Sequence, residues 1–374
     1  MSMTRAKRHD RAHRSIMADW AELLPELVQG IADCVLSTTG GGEAYMNMRA
    51  VCSSWRSAVA KPSPLAAITD LRFRPRHWVM LDLPSKKEDD DADGCLFLHV
   101  LTGRFRFLRL PVLHDHILVG ASDGLLVLGD RDQPPNLARV LNPLTGDMLH
   151  FAAPFHQPFS NLWSTAVSHS RLILWGYAML AWAAPTSDEF TKEDIGKSTA
   201  SMGAFHGNVY VVDLQRQLFK FISPAEQCDA DVALIAQVPL NVDVYSDEDE
   251  EEEILFSYSL VESAGELLLI RPHGRALQVF IVDVERKSLQ EVKSLGGCHA
   301  LFLGPMRCMS VDAANLPSVD SDCIYLLHWV GKSEHMSVYS LRDDKMEFIS
   351  SGDHPDRPFS LVQVLLRYCD FLDE

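Results

Sequence analysis

The sequence predicts a mainly β protein with a small α-helical N-terminal domain, a three-helix unit followed by a β-propeller-like body. Three observations carry this. Helical periodicity is confined to Asp19–Ala60. From Leu65 to the end the chain reads as short apolar, β-branched and aromatic runs broken by turn residues. Within that body one hairpin form recurs four times. The expected divisions are a disordered basic tail over 1–18, the helical unit over 19–60 and the β body over 65–374.

The tail carries Arg5, Lys7, Arg8, Arg11 and Arg14 with little that is apolar, which suits a solvated segment or a basic patch for nuclear import or an anionic surface. The helical unit opens with apolar residues at 24, 27, 28, 31 and 35, one face of a helix. Pro25 suits a first turn, where its missing N–H costs nothing. Gly30 weakens the helix by about 1 kcal/mol relative to Ala. Ser37 to Gly42, with three glycines, is expected to break the helix. Glu43–Arg49 and Cys52–Ala60 form the second and third helices, and the Lys61-Pro-Ser-Pro64 run ends the last. A unit of this size holds little core, so it is expected to lean on a partner or on the body.

In the body, His77–Leu83, Cys95–Leu101 and Phe105–Leu110 are strand-like, with Lys86–Asp93 as a solvated loop between the first two. Gly120–Gly129 is a turn followed by a strand. The recurring hairpins are Val140–Phe151, Val211–Phe221, Phe280–Val292 and Val338–Phe348, each an apolar strand, a polar turn and a second strand. The last three follow strand openings at Gly207–Tyr210, Gly265–Leu269 and Cys323–Leu327. The repeat of about 55 to 75 residues is long for a propeller blade but fits one with insertions. Such meanders cannot bury both faces alone, so stacking around an axis is the natural solution, with an irregular β-sandwich as the alternative.

Composition excludes several functions. Of 374 residues 47% are hydrophobic, enough for real cores. The net charge of −17 repels phosphate backbones and argues against nucleic-acid binding. Eight scattered cysteines without a CxxC pair suit reduced, mostly buried thiols. The N-terminus has no signal-peptide core, and the longest apolar run, Leu172–Pro185, is too short for a membrane helix and suits buried strands. The expected protein is soluble, sits in the nucleus or cytoplasm, and has no membrane contact. His114-Asp-His116 places two imidazoles on one strand face but lacks further ligands, so a polar turn is expected. Cys298 and His299 are adjacent and face opposite ways. No nucleophile, base and orienter assemble, so neither a cofactor nor catalysis is expected. Ser246–Glu253 carries seven adjacent acids, suited to an open loop or to a strip for a basic partner.

Trp20, the Leu-Pro-Glu-Leu at 24–27, Ile31 and Arg49-Ala-Val-Cys-Ser-Ser-Trp-Arg56 resemble the F-box of plant F-box proteins. The runs Leu295–Gly304, Met309–Val311 and Leu316–Tyr325, with Asp123–Val127 and Leu141–Gly146, are similar to such proteins carrying the domain of unknown function 295. The resemblance implies a unit that docks on a Skp-type adaptor and through it a cullin. It implies adaptor contacts at Trp20, Leu23, Pro25, Leu27, Val28 and Ile31, with Val51 and Trp55 packing the helices and closing the contact. The body would recruit an unidentified target protein for ubiquitination, working by proximity. The other readings are an interaction scaffold whose F-box-like segment no longer binds an adaptor, and a β-propeller enzyme.

Overall fold

The computed structural model describes residues 20–38, 41–81, 94–130, 136–176, 179–193, 199–222, 232–239, 254–255, 258–273, 276–330, 333–351 and 360–370. The basic tail, the Lys86–Asp93 run, Gly40, Cys228 and the acidic block lie outside them. The chain divides into two compact units, Met1–Lys61 and Pro62–Glu374.

In the first unit a short 3-10 turn, Trp20–Glu22, precedes α1 (Pro25–Leu36), α2 (Gly41–Val51) and α3 (Ser53–Ala58). Pro25 stands at the start of α1. The three helices pack pairwise. Val28, Ala32 and Leu36 recur at i, i+4 and i+8 and are buried, as are Tyr45 and Met48 of α2. Side-chain to backbone bonds tie α2 to the end of the unit. Tyr45 Oη donates to the Ala60 carbonyl at 2.8 Å, Arg56 Nε donates to the Arg49 carbonyl at 3.1 Å, and Arg49 donates to the Val59 carbonyl. The two arginines of the Arg49–Arg56 run therefore have a structural task.

The glycine run does not act simply as a breaker. Gly41 and Gly42 are buried residues of α2 itself. A Cβ on Gly41 would stand 2.0 Å from the Val35 carbonyl oxygen, so the glycine lets the start of α2 touch the end of α1.

The second unit begins with α4 (Pro64–Thr69), capped by Ser63. The first sheet is β1 (Trp78–Met80), β2 (Gly94–His99) and β3 (Arg104–Arg109). The second is β4 (His116–Ser122), β5 (Leu125–Asp130), β6 (Asn136–Leu141) and β7 (Met148–Phe155). The third is β8 (Leu162–Ser168), β9 (Arg171–Gly176), β10 (Met179–Ala183) and β11 (Thr191–Glu193). The fourth is β12 (Thr199–Phe205), β13 (Asn208–Asp213), β14 (Gln217–Phe221) and β15 (Val232–Gln237). After β16 (Ile254–Leu255) comes the fifth sheet, β17 (Ser259–Ser263), β18 (Glu266–His273), β19 (Ala276–Asp283) and β20 (Ser288–Val292). The sixth uses β21 (His299–Leu303), β22 (Cys308–Asp312), β23 (Cys323–Val330), β24 (Ser333–Ser340) and β25 (Lys345–Ser351) in the order β22-β21-β23-β24-β25. There β21 and β23 run parallel, and β16 also pairs β23. The closing helix α5 (Leu361–Cys369) has a Ser360–Gln363 capping box and buries Leu365, Leu366 and Cys369 against the sixth sheet.

The four predicted hairpins are β6–β7, β13–β14, β19–β20 and β24–β25. Two local readings change. Gly207–Tyr210 is no separate strand: residues from Asn208 on are the first half of β13, because nothing between Tyr210 and Val211 turns the chain. Gly120–Gly129 holds two strands joined at Asp123-Gly124, whose φ values of 51° and 75° make a tight left-handed turn. The apolar run from Leu172 forms the buried strands β9 and β10. No described helix is long and apolar enough to cross a membrane.

Hydrophobic layers fill the spaces between adjacent sheets. At two points near the axis neighbouring strands come so close that only glycine fits. A Cβ on Gly120 of β4 would stand 2.4 Å from Thr165 Oγ1 of β8, and one on Gly203 of β12 would stand 2.9 Å from Leu260 Cβ of β17.

Candidate functional site

The helical unit exposes an apolar stripe. Trp20, Leu24, Leu27, Ile31 and Val51 are 62%, 64%, 54%, 39% and 61% exposed. Leu27 and Ile31 stand one turn apart on the same side of α1, Leu24 is the residue that caps its start, and Trp20 lies in the lead-in turn. Pro25 is exposed beside them and Leu23 is half-buried. Large apolar side chains gathered on a unit this small leave an uncovered apolar surface.

One expected contact residue, Val28, lies inside the unit, and a second, Val51, lacks its expected packing role. Val28 is 1% exposed and belongs to the inner face of α1, because it shares the i+4 row with Ala32 rather than the row of Leu27 and Ile31. Val51 does not pack the helices together, since it ends α2 pointing to solvent. Trp55 is half-buried, and its Nε1–H donates to the Trp20 carbonyl at 2.8 Å, which fixes the lead-in turn against α3. Leu24, part of the Leu-Pro-Glu-Leu motif but not among the expected contact residues, is also exposed.

In the second unit the six sheets surround a channel. Its cavity of about 170 Å³ is lined by residues of β1, β4, β8, β12, β17 and β22, one strand from each sheet. The ring is charged at the Arg76 end, where Arg76 Nη2 lies 2.6 and 2.5 Å from the two carboxylate oxygens of Glu262. His77 adopts a φ of 67° there, and its imidazole pKa is lowered to about 4, first by burial and then by the neighbouring Arg76 charge. Among the described residues no group of His, Cys, Asp and Glu could hold a metal. His114 and His116 make no ligand pair: His116 Nδ1 sits 2.8 Å from the Val112 carbonyl in the turn entering β4. The seven described cysteines are free thiols, with Cys95, Cys323 and Cys369 buried and Cys34 exposed.

The segment from α4 to His77 crosses the ring of sheets as a strap. Asn142 Nδ2 donates to the carbonyls of Ala67 at 2.8 Å and Phe73 at 2.9 Å. Arg74 Nη1 meets Asp123 Oδ2 at 2.8 Å and the Val167 carbonyl at 2.9 Å. Gly124 has no Cβ, which would fall 1.9 Å from the Pro75 carbonyl oxygen, and Gly207 lies under the Leu71 side chain. The strap therefore touches the second and third sheets through buried polar bonds, the fourth through the Leu71 side chain and the fifth through the half-buried Arg76–Glu262 pair, contacts that the sequence alone did not reveal.

Six sheets radiating from a channel, each giving it one strand, define a β-propeller, an architecture that suggests a protein-interaction body. The chain belongs to the KIB1-4 beta-propeller family, whose sequence model matches residues 97–340. No curated protein matches the chain. Among solved structures, a protein from Lactobacillus plantarum is 13% identical, with 74% of this chain and 82% of that chain covered and a TM-score of 0.38. The Cps50 (Swd1) β-propeller domain of Myceliophteria thermophila is 11% identical, with 72% and 86% covered and a TM-score of 0.35. PorZ of Porphyromonas gingivalis is 11% identical with a TM-score of 0.33; the match covers 70% of this chain and 38% of PorZ.

Proposed function

We propose that the protein is the substrate-receptor subunit of a Skp–cullin–F-box ubiquitin ligase, acting in the nucleus or cytoplasm without catalysis of its own. The helical unit docks a Skp-type adaptor, and the propeller holds a target protein near the ligase-bound conjugating enzyme. A tethered target reacts at a high effective concentration, so no active site is needed on this chain.

The observation that supports the reading most is the exposed stripe of Trp20, Leu24, Leu27 and Ile31 on α1 and its lead-in turn, beside the inward row of Val28, Ala32 and Leu36. A helix with two apolar rows and only one of them buried has a second surface to cover. Pull-down with a purified Skp-type adaptor tests it. Wild type is expected to bind, and Leu27→Asp with Ile31→Asp is expected to abolish binding while leaving the fold intact, because both side chains are exposed in the free chain. Absence of binding by the folded wild type would replace the ligase reading by the scaffold one.

A further inference from the structure

The channel of the propeller has a side chamber. The cavity of about 170 Å³ and a smaller one of about 80 Å³ share Met202, Met306, Arg307 and Cys308 in their walls. Each chamber is lined by a residue with a buried polar atom that the fold leaves without a hydrogen bond: Thr165 Oγ1 in the larger and Trp175 Nε1 in the smaller, on residues 4% and 5% exposed. Nearby hydroxyls are used by the fold. Ser310 and Ser263 share a hydrogen bond at 2.7 Å, Ser122 Oγ accepts from the Val167 N–H at 3.3 Å, and Ser201 Oγ accepts from the Leu260 N–H at 3.1 Å. An indole N–H can only donate, so an acceptor is what Trp175 lacks. The charges of the larger chamber point the same way. Arg76 and Glu262 pair with each other and Asp123 pairs with Arg74, whereas Arg307 meets neutral groups. Its Nη1 donates to the Tyr368 carbonyl at 3.0 Å, and its guanidinium lies 5.1 Å from the centre of the Tyr368 ring. Among the described residues no carboxylate balances it.

We propose that the two chambers form a binding site for a small organic carboxylate, a monoanion with an apolar body. The carboxylate balances the Arg307 charge where the chambers meet and accepts from Trp175 Nε1–H. The body lies against Met202 and Leu260 in the larger chamber, whose volume suits one aromatic ring, and the Thr165 hydroxyl meets a polar substituent on it. A phosphate ester is disfavoured, because one guanidinium balances only one of its two charges. The site lies wholly within the second unit and stands apart from the ligase reading.

The test is isothermal titration calorimetry of the full chain with benzoate and with meta- and para-hydroxybenzoate. Benzamide, benzylamine and phenyl phosphate are the comparators. Benzoate is expected to bind with a Kd of about 1 mM or below, the range of a ligand this small, and more tightly than any comparator. Trp175→Phe keeps the ring and removes the N–H; it and Arg307→Gln are each expected to weaken benzoate about tenfold. At least one hydroxybenzoate is expected to bind more tightly than benzoate, and Thr165→Val to remove that gain. Without ligand, Trp175→Phe and Thr165→Val are expected to melt at the wild-type temperature or above, because each removes a polar atom that has no partner to lose. The proposal is overturned if none of the three carboxylates binds, so that the cavity holds water only. It is equally overturned if a comparator binds as tightly as benzoate, or if neither Trp175→Phe nor Arg307→Gln weakens binding. A hydroxyl gain that survives in Thr165→Val would overturn the placement of the body in the larger chamber.

Discussion

Arg74 and Asp123 meet at 2.8 Å although 49 residues separate them in the chain. The Arg74 side chain is fully buried, and Asp123 sits in the left-handed turn that joins β4 to β5. The same guanidinium donates from Nε to the Ile68 carbonyl at 2.9 Å and from Nη1 to Val167. One cation thus joins α4, the second sheet and the third.

Removing that cation leaves a carboxylate and two carbonyls without their donor in a dry site. Arg74→Ala is expected to cost about 3–5 kcal/mol, the usual consequence of breaking a buried pair from one side. Asp123→Asn keeps an acceptor and tolerates the turn's φ, so about 1–2 kcal/mol is expected. Urea unfolding followed by tryptophan fluorescence measures both, and equal losses would contradict the assignment.

Two glycines in the helical unit should respond in opposite directions. Gly30 is exposed in α1 with nothing within 4 Å of an added Cβ, so Gly30→Ala is expected to stabilise the unit by about 0.5–1 kcal/mol. Gly41→Ala meets the Val35 carbonyl and is expected to destabilise it by about 1–3 kcal/mol. Hydrogen exchange of the α1 and α2 amides reads each change locally.

Val28 and its neighbours on α1 separate stability from docking. Val28→Asp would bury a charge and should unfold the helical unit, seen as loss of protection in α1 to α3. Leu27→Asp with Ile31→Asp should leave that protection within a factor of about three, because surface changes cost little.

His77 gives the protein a predictable acid sensitivity. Its imidazole stays neutral in the folded chain down to about pH 4, whereas the unfolded chain takes up the proton near 6.5. Between those values the unfolded state binds more protons, so stability falls as pH is lowered through that window, by about 3 kcal/mol over its whole width. His77→Asn suits the φ of 67° and removes the titration. The drop in melting temperature from pH 7 to pH 5 should be smaller in the variant than in wild type, and an unchanged drop would contradict this account.

The hairpins were legible because alternating apolar residues and a polar turn are local signals. The axis strands were harder to read. β12 (Thr199–Phe205) interleaves Ser, Ala and Gly, with Gly203 set close against Leu260 of β17 (Ser259–Ser263), which itself begins and ends in Ser, so both lack the usual apolar alternation. The strap escaped notice for a related reason: Arg74 and Asn142 look like surface residues until the carbonyls they serve are brought to them from far along the chain.

Local residue patterns alone show that a helical unit precedes a body of β meanders, and that apolar residues recur along α1 at helical spacing. Periodicity and turn chemistry act over a few residues, so one chain read in order contains them. Tertiary structure decided which apolar row of α1 turns inward, placing Val28 inside and leaving Leu27 and Ile31 outside. It also decided that six sheets share one channel, and that Arg74 meets Asp123. Those outcomes depend on neighbours distant in sequence, whose burial and hydrogen bonds exist only once the sheets have closed around the axis.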